Sequence, residues 1–253
     1  MAEADPIRLY MPASLGAGET VALDAGQVHY LRNVMRRRPG DPVAAFNGRD
    51  GEWAARIETL DRKAGSLAVE ALRRAPVAGP DLWLLFAPVK RLRLDYLVAK
   101  ATELGVSALW PVFTARTQPD RVKAERLRAN IVEAAEQCAR LDLPDLFDAA
   151  PLDAVLADWP PARRLLVCDE TGGTPIQAAL SRAAVEGPAG PWAVLVGPEG
   201  GFAPSELDGL GKLPFVIRAG LGPRLLRADT AALAAVACWQ AVLGDGDRAP
   251  RAG

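Results

Sequence analysis

The sequence predicts a chain of two parts, a small β-barrel or sandwich followed by a mostly parallel α/β domain. Residues 1–75 contain short apolar runs separated by hairpin turns, and residues 76–81 are rich in proline and glycine. After this break, apolar strands alternate with helices. With 253 residues, half of them hydrophobic and 24% charged, the chain is long and apolar enough for a packed core, which excludes disorder throughout.

The N-terminal part carries the turn signals of β-hairpins. Asn47-Gly48 and Gly51 separate short apolar runs, and such residues favour tight turns between antiparallel strands. The apolar runs are 43–46, 53–57 and 67–72, and one short helix is predicted over 27–35.

The C-terminal part alternates between strands and helices, which is typical of a parallel sheet. Strands are predicted over 82–87, 108–113, 165–168, 192–196 and 215–218, and helices over 93–104, 125–140, 176–185, 204–211 and 230–243. The expected organisation is a first domain over 1–75, a linker over 76–81, a second domain over 82–243 and a flexible tail over 244–253.

Charge and composition exclude several classes of function. There are 30 Lys and Arg residues against 31 Asp and Glu, so a diffusely basic nucleic-acid coat is excluded but a local basic patch is not. The single histidine, His29, and the scattered Cys138, Cys168 and Cys238 predict no metal site. The acidic N-terminus is not a signal peptide and the run 231–243 is too short to span a bilayer, so we expect a cytoplasmic protein without a membrane partner.

Two glycine-bearing loops follow predicted strands, where parallel sheets bind their ligands. The first, VGPEGGF at 196–202, connects a strand to a helix, and its glycines permit a ligand to approach the main chain. It matches neither the GxGxxG dinucleotide fingerprint nor the GxxxxGK[ST] phosphate loop. A tight structural turn is the alternative interpretation.

The second loop, LGPRLLRADTA at 221–231, leads into an alanine-rich helix. It combines two arginines, an aspartate and a threonine with apolar leucines. The alternative interpretation is a helix N-terminus capped by Asp229 or Thr230. In that case Arg224 and Arg227 are simply solvated.

These loops and three further motifs resemble the RsmE family of SPOUT-class methyltransferases, which methylate uridine at N3 in 16S ribosomal RNA. The motifs, in the family's order, are HYLRNVMR at 29–36 with PGD at 39–41, KATELGV at 100–106, EQCAR at 136–140, GPEGGF at 197–202 and LGPRLLRADTA at 221–231. The chain departs from the family's pattern where Asp229 replaces a usual glutamate and Ala203 replaces a serine helix cap. Leu141 and Asp142 also stand where many relatives have polar or basic residues.

The resemblance implies a PUA-like β-barrel followed by a SPOUT α/β domain with a deep trefoil knot, whose loops bind S-adenosylmethionine. It also implies a homodimer with the active site at the interface. By match to the family's motifs, the expected cofactor-binding residues are Leu195, Val196, Gly197, Glu199, Gly200, Gly201, Ile217, Leu221, Gly222, Leu225, Leu226, Arg227, Thr230 and Ala231.

The implied reaction requires N3 of uridine to lose a proton and to align with the methyl group. Candidate bases are Glu199, Asp229 and Glu103. An arginine of the second loop is the candidate for stabilising the uracil oxyanion. The residues alone do not decide between these roles, because Glu103 can pair with Lys100 and Asp229 can cap a helix. The expected catalytic set is Glu199, Arg224, Arg227 and Asp229.

Two basic clusters predict how a chain without net positive charge contacts RNA. The arginines at 36–38 and the cluster KRLR at 90–93 are expected to bind phosphates along one track. A structural hydrogen-bonding role is the alternative for His29. The expected RNA-binding residues are His29, Arg32, Arg36, Lys90, Arg91, Arg93, Glu103 and Arg140, with 16S rRNA or the small ribosomal subunit as the partner.

Three other functions remain open from the sequence. The chain could methylate another RNA or another base position, or serve as a non-catalytic RNA-binding factor in ribosome assembly. A Rossmann oxidoreductase is disfavoured because the GxGxxG fingerprint is missing.

Overall fold

The chain divides into two compact units in the computed structural model, which describes residues 6–119, 121–186 and 190–248. The first unit contains the described residues up to Ala78 together with Ala135–Leu143. The second contains Gly79–Ala134 and the described residues from Pro144 onward. Both units are therefore discontinuous in sequence.

The first unit is built on one five-stranded sheet. Its strands are β1 Ile7–Tyr10, β2 Thr20–Ala22, β3 Pro42–Phe46, β4 Glu52–Leu60 and β5 Gly65–Arg74. The order along the sheet is β1-β3-β4-β5-β2, with β1 parallel to β3 and the other neighbours antiparallel. Apolar side chains from the strands, including Leu9, Val43, Ile57 and Leu67, pack into one buried core.

A short α-helix precedes β3 and continues directly into a π-helix. Helix α1, Ala25–His29, begins with a capping box in which the Asp24 carboxylate accepts from the Gln27 N–H at 2.8 Å and the Gln27 side chain accepts from the Asp24 N–H at 2.9 Å. Tyr30–Val34 continues as a π-helix, and Arg36 then takes φ +53°. The predicted helix is present, but the cap starts it two residues earlier and its second half is not α-helical.

Two arginines of the first unit hold Ala135–Leu143 through its main chain. Arg8 donates to the carbonyl oxygens of Ala135 (2.6 Å), Glu136 (3.0 Å) and Arg140 (2.6 Å). Arg74 donates to the carbonyl oxygen of Ala139 (3.1 Å). Both guanidinium groups also bind the buried Glu52 carboxylate, at 2.7 and 2.6 Å. Burial alone raises the pKa of Glu52, but the hydrogen bonds from Arg74 and Arg8 outweigh it, so this pKa lies below its ordinary value. The expected second domain, 82–243, therefore loses this segment to the first unit.

The second unit is a parallel α/β domain, as the sequence predicts. Its strands are β6 Leu82–Phe86, β7 Ala108–Phe113, β8 Asp145–Leu146, β9 Ala150–Pro151, β10 Arg164–Cys168, β11 Thr174–Pro175, β12 Trp192–Val196 and β13 Val216–Gly220. The sheet order is β11-β13-β10-β12-β6-β7-β8, β9 pairs with β7, and the described pairings are all parallel. The carboxyl ends of β13, β10 and β12 therefore lie side by side at one edge.

The described part of the second unit has six helices; five match predicted helices and differ from them only at their ends, whereas the short helix Leu152–Ala157 is not predicted by the sequence. The six helices are α2 Arg91–Glu103, α3 Ala124–Gln137, α4 Leu152–Ala157, α5 Ile176–Glu186, α6 Pro204–Leu210 and α7 Ala228–Val242. α3 ends three residues before the predicted 140, since Ala139 adopts φ +61°, in the left-handed region. In the described ranges, no helix is long and apolar enough to cross a membrane.

The end of the chain is hydrogen-bonded over the part that the structure describes. Gly244 and Gly246 donate to the carbonyls of Trp239 and Gln240, at 3.2 and 3.0 Å. The rest of the expected flexible tail, 249–253, lies outside the described residues.

Candidate functional site

A cavity of about 760 Å³ opens where β10, β12 and β13 end. Three loops line it, one after each strand, within 168–175, 196–199 and 220–228, and Ala231 of α7 completes the lining. The second and third of these loops are the two that the sequence singles out. Open parallel sheets bind ligands at this edge, so the cavity is the candidate site.

Most of the predicted cofactor-binding and catalytic residues meet at this cavity. Those that line it are Val196, Gly197, Glu199, Leu221, Gly222, Arg224, Leu225, Leu226, Arg227 and Ala231. Those that lie outside its lining are Leu195, Gly200, Gly201, Ile217, Asp229 and Thr230. Three of the four expected catalytic residues are therefore on the cavity wall, and Asp229 is not.

The loop after β12 is fixed by side chains from other parts of the unit. Arg116 donates to the Gly200 carbonyl at 2.8 Å, and Arg93 pairs with Glu199 at 3.5 Å. A side chain on Gly197 would press against the ring of Phe202, which is buried, with its Cβ 3.0 Å from the ring edge. The loop is therefore shaped before any ligand binds.

The start of α6 is capped by a glutamate instead of the missing serine. The Glu206 carboxylate accepts from the Ala203 N–H at 2.7 Å, and its other oxygen accepts from the Ala115 N–H at 2.8 Å. Ala203 has no side-chain acceptor, so Glu206 supplies the only side-chain bond of this cap that the described residues show. The same carboxylate ties the loop after β12 to the end of β7.

The loop after β13 is mostly exposed. Leu225 is 83% exposed, and Gly222 has φ +98° with nothing near the position of a Cβ. Helix α7 begins after Arg227, which caps it through the main chain without a side-chain hydrogen bond in the described structure. The alternative of a cap by Asp229 or Thr230 is therefore wrong, because both residues already lie within the first turn of the helix.

Asp229 carries an unusual buried atom. One of its carboxylate oxygens is shielded from solvent and has no hydrogen-bond partner among the described residues. Most buried polar atoms are paired, so this one stands out in the first turn of α7.

The third loop, after β10, was missed by the sequence reasoning. Asp169 accepts from the Thr171 hydroxyl at 2.7 Å and is paired with Arg218 of β13. Burial by itself raises the pKa of Asp169, but the hydrogen bonds from Thr171 and Arg218 outweigh it and the pKa lies below its ordinary value. The pair Gly172-Gly173 directly after a buried strand is the signal that could have revealed this loop.

Cys168 ends β10 on the cavity wall, but its thiol is not poised for attack. Burial, with a smaller contribution from Cys238, raises the pKa of Cys168 to about 12. The thiolate, which is the nucleophilic form, is therefore negligible near neutral pH. In the described residues, no group of His, Cys, Asp and Glu side chains could hold a metal ion.

The expected RNA-binding residues of the first unit fall into two environments. His29 is exposed and its Nδ1 lies 2.8 Å from the Asn33 amide, and Arg36 projects from the strained turn that follows the π-helix. π-turns and left-handed residues with side chains are frequent at functional sites. Arg140 is instead 9% exposed and paired with Asp142 at 3.0 Å, so its side chain serves the interior of the unit.

Some of the expected RNA-binding residues of the second unit are exposed, and others are held in ion pairs. Lys90 and Arg91 are exposed at the start of α2, whereas Arg93 binds Glu199. Glu103 is paired with Lys100 at 2.7 Å. This ion pair is the structural alternative that the sequence offers for Glu103.

Residues 78–240 match the family model of an RNA methyltransferase domain, and residues 23–70 match that of an RNA methyltransferase PUA domain. The ribosomal RNA small subunit methyltransferase E of Rickettsia conorii is 30% identical over 237 residues, which is 91% of this chain and 93% of the relative. The chain belongs to the RsmE family.

Solved structures agree with this membership. A ribosomal RNA small subunit methyltransferase E from Neisseria gonorrhoeae, bound to S-adenosylmethionine, superposes with a TM-score of 0.83 at 27% identity, over 95% of this chain and 99% of that one. A Legionella pneumophila protein in complex with the same cofactor gives 0.83 at 27% identity, over 96% and 100%. The predicted fold class of the RsmE family, a SPOUT-type α/β domain preceded by a PUA-like domain, is confirmed.

Proposed function

We propose that this RsmE-family protein transfers the methyl group of S-adenosylmethionine to N3 of a uridine in 16S ribosomal RNA, in the cytoplasm. The observation that carries the proposal is the convergence of two glycine-bearing loops, distant in sequence, on one cavity at the carboxyl edge of the sheet. Relatives named as small-subunit RNA methyltransferases and neighbours solved with S-adenosylmethionine support it.

The cavity fits a nucleoside cofactor of this kind. Its volume of about 760 Å³ is within the range of small-molecule sites. Leu221 and Leu226 offer apolar surface for an adenine ring, and the bare main chain of Gly197 and Gly222 offers hydrogen-bonding groups at close range. Carboxylates on the wall, including Glu199, suit a ligand that carries positive charge.

When bound, S-adenosylmethionine would supply an electrophilic methyl group, and its S–CH3 bond would break to leave S-adenosylhomocysteine. The uridine must give up its N3 proton as the N–C bond forms, and we assign the acceptor role to Glu199 because it lines the cavity. The Arg93 guanidinium at 3.5 Å orients this carboxylate. Arg224 and Arg227, exposed on the opposite loop, stabilise the negative charge that develops on the uracil oxygens.

RNA contact on the first unit is assigned to its strained basic turn. Arg32 and Arg36 flank exposed Val34 and Met35, so cationic groups for phosphates stand beside apolar surface for an unstacked base. We assign phosphate contact on the second unit to exposed Lys90 and Arg91.

We further propose a homodimer. Leu225 on the cavity rim and Leu92 on α2 are each 83% exposed, although both are large apolar side chains. A second copy of the chain that covers them would remove this apolar surface from water. Sedimentation velocity should give the mass of a dimer, and a monomer at micromolar concentration would contradict this part of the proposal.

Transfer of a tritiated methyl group tests the function directly. Label should enter 16S rRNA or small subunits but not 23S or transfer RNA, and digestion should yield N3-methyluridine. Glu199→Gln should lower kcat about a hundredfold, the size of a lost general base, with Glu133→Gln on the exposed face of α3 as the matched control. Label in a different base would overturn the assigned position. Absence of transfer despite cofactor binding would favour the assembly-factor alternative.

A further inference from the structure

Three carboxylates surround the candidate cofactor cavity, and their electrostatic partners differ. Asp169 is neutralised by Arg218, and Glu199 is paired with Arg93. Glu170, the third, has neither an ion pair nor a hydrogen bond with any residue that the structure describes. Glu170 is therefore the carboxylate whose charge the protein leaves uncompensated on this wall.

The position of Glu170 is defined by the loop opposite. Its carboxylate lies over Gly201, where a Cβ would overlap it, and Gly201 has φ +67°. The absence of a side chain at Gly201 thus creates the space in which the Glu170 carboxylate stands. The loops after β10 and β12 are brought together at this point, and Glu170 itself lines the cavity.

A free carboxylate on a cavity wall favours a cationic ligand group, because the ligand can supply the missing positive charge. Arg224 and Arg227 also line the cavity, but neither is within ion-pair distance of Glu170 in the described structure. A cationic group of a bound ligand can therefore pair with Glu170 without competition from these arginines.

We propose that Glu170 binds a cationic group of the methyl donor, either its sulfonium or its α-ammonium. This inference rests on the proposed function, because it takes the donor to be S-adenosylmethionine. It adds a binding residue that lies outside every motif by which the chain resembles its family. Glu170 acts on affinity for the donor's charge, while Glu199 serves the substrate proton.

Isothermal calorimetry with Glu170→Gln tests the inference, since the substitution removes the charge and keeps the shape. Three ligands separate the sources of charge: S-adenosylmethionine with both cations, S-adenosylhomocysteine with the ammonium only, and 5′-methylthioadenosine with neither. The variant should bind S-adenosylmethionine about fivefold more weakly, the size of a partly exposed charge pair. It should bind 5′-methylthioadenosine as the wild type does. Glu133→Gln, exposed on α3, is the matched control for loss of one negative charge.

The comparison with S-adenosylhomocysteine identifies which cationic group of the donor Glu170 binds. Equal weakening of S-adenosylmethionine and S-adenosylhomocysteine identifies the ammonium, and weakening of the former alone identifies the sulfonium. Raising the salt concentration should shrink the difference between wild type and variant, since screening acts on charge. Unchanged affinity for S-adenosylmethionine, or equal weakening of all three ligands, would overturn the inference. Failure of the wild type to bind any of them would instead refute the proposed function.

Discussion

The two glycine-bearing loops of the RsmE-family site are held in very different ways. The loop at 196–202 is bound by Arg116 and Arg93, backed by Phe202 and tied down through Glu206. The loop at 221–227 has an exposed tip at Leu225 and enters α7 without a side-chain cap in the described structure. The difference indicates that one half of the cavity is preformed, while the other half is held by few side-chain contacts of its own.

The strongest test of this difference is a pair of matched substitutions. Gly201→Ala and Gly222→Ala both place a side chain at positive φ, so both carry a similar strain of about 1 kcal/mol. Only at Gly201 does the new methyl group also displace a carboxylate, that of Glu170. We expect S-adenosylmethionine affinity to fall about thirtyfold for Gly201→Ala and about fivefold for Gly222→Ala, as measured by calorimetry. Equal losses would mean that the two loops are equally confined.

The hydrogen bond from Arg116 should matter nearly as much. Arg116→Ala removes a charged donor from the Gly200 carbonyl and should weaken cofactor binding about tenfold, because such bonds contribute about 1.5 kcal/mol. Arg128→Ala, on the exposed face of α3, is the control. If calorimetry finds the two variants alike, the preformed loop does not depend on Arg116.

The loop after β10 is held by the ion pair between Asp169 and Arg218, and this contribution to stability should depend on pH. Asp169→Asn should lower the free energy of unfolding by about 1–2 kcal/mol at pH 7, since it weakens the pair with Arg218. The pKa of Asp169 is depressed, so its stabilisation is present above the unfolded value of about 3.9 and is lost as the pH falls through the folded value. Urea unfolding from pH 7 to pH 2 should show the gap between wild type and variant closing on the acid side. A gap that stays constant would show that the carboxylate's charge is not what stabilises the loop.

The smallest effect is expected at the start of α7. Thr230 is exposed and makes no cap, so Thr230→Ala should change the free energy of unfolding by less than about 0.5 kcal/mol. A genuine cap would lose about 1 kcal/mol. Chemical denaturation distinguishes the two values, and a loss of the larger size would show that the Thr230 side chain does stabilise the start of α7.

Much of this architecture follows from local pattern. The alternation of apolar strands with helices predicts the parallel sheet, and the glycines at 196–202 and 221–231 predict where its ligand cavity opens. Helix ends are less predictable, because φ +61° at Ala139 stops α3 at a residue that otherwise suits a helix.

What the sequence could not reveal depends on contacts between distant residues. Asp169 and Glu170 look like an ordinary polar turn, and their roles emerge only when Arg218 and Gly201 are placed beside them. Nor does the sequence reveal which glycine of the loop at 196–202 is crowded, since a Cβ at Gly200 would meet only Arg116, at 3.7 Å, whereas a Cβ at Gly201 would overlap the Glu170 carboxylate. Homodimerisation, the trefoil knot and the shared RNA track stay predictions.

The hydrogen bonds from Arg8 and Arg74 to Ala135–Leu143 affect when the first unit can finish folding during translation. During translation the five strands of the first unit emerge well before this segment does, so a nascent chain cannot yet satisfy both guanidinium groups. Glu52 can already pair with Arg8 and Arg74 at that stage, but the N–H groups of these arginines that bind the carbonyls of Ala135–Leu143 have no partner until that segment is made. Biosynthesis of the N-terminal unit is thus completed only after the ribosome has passed Leu143, and a gene fragment that stops at Ala78 would encode an unfinished fold.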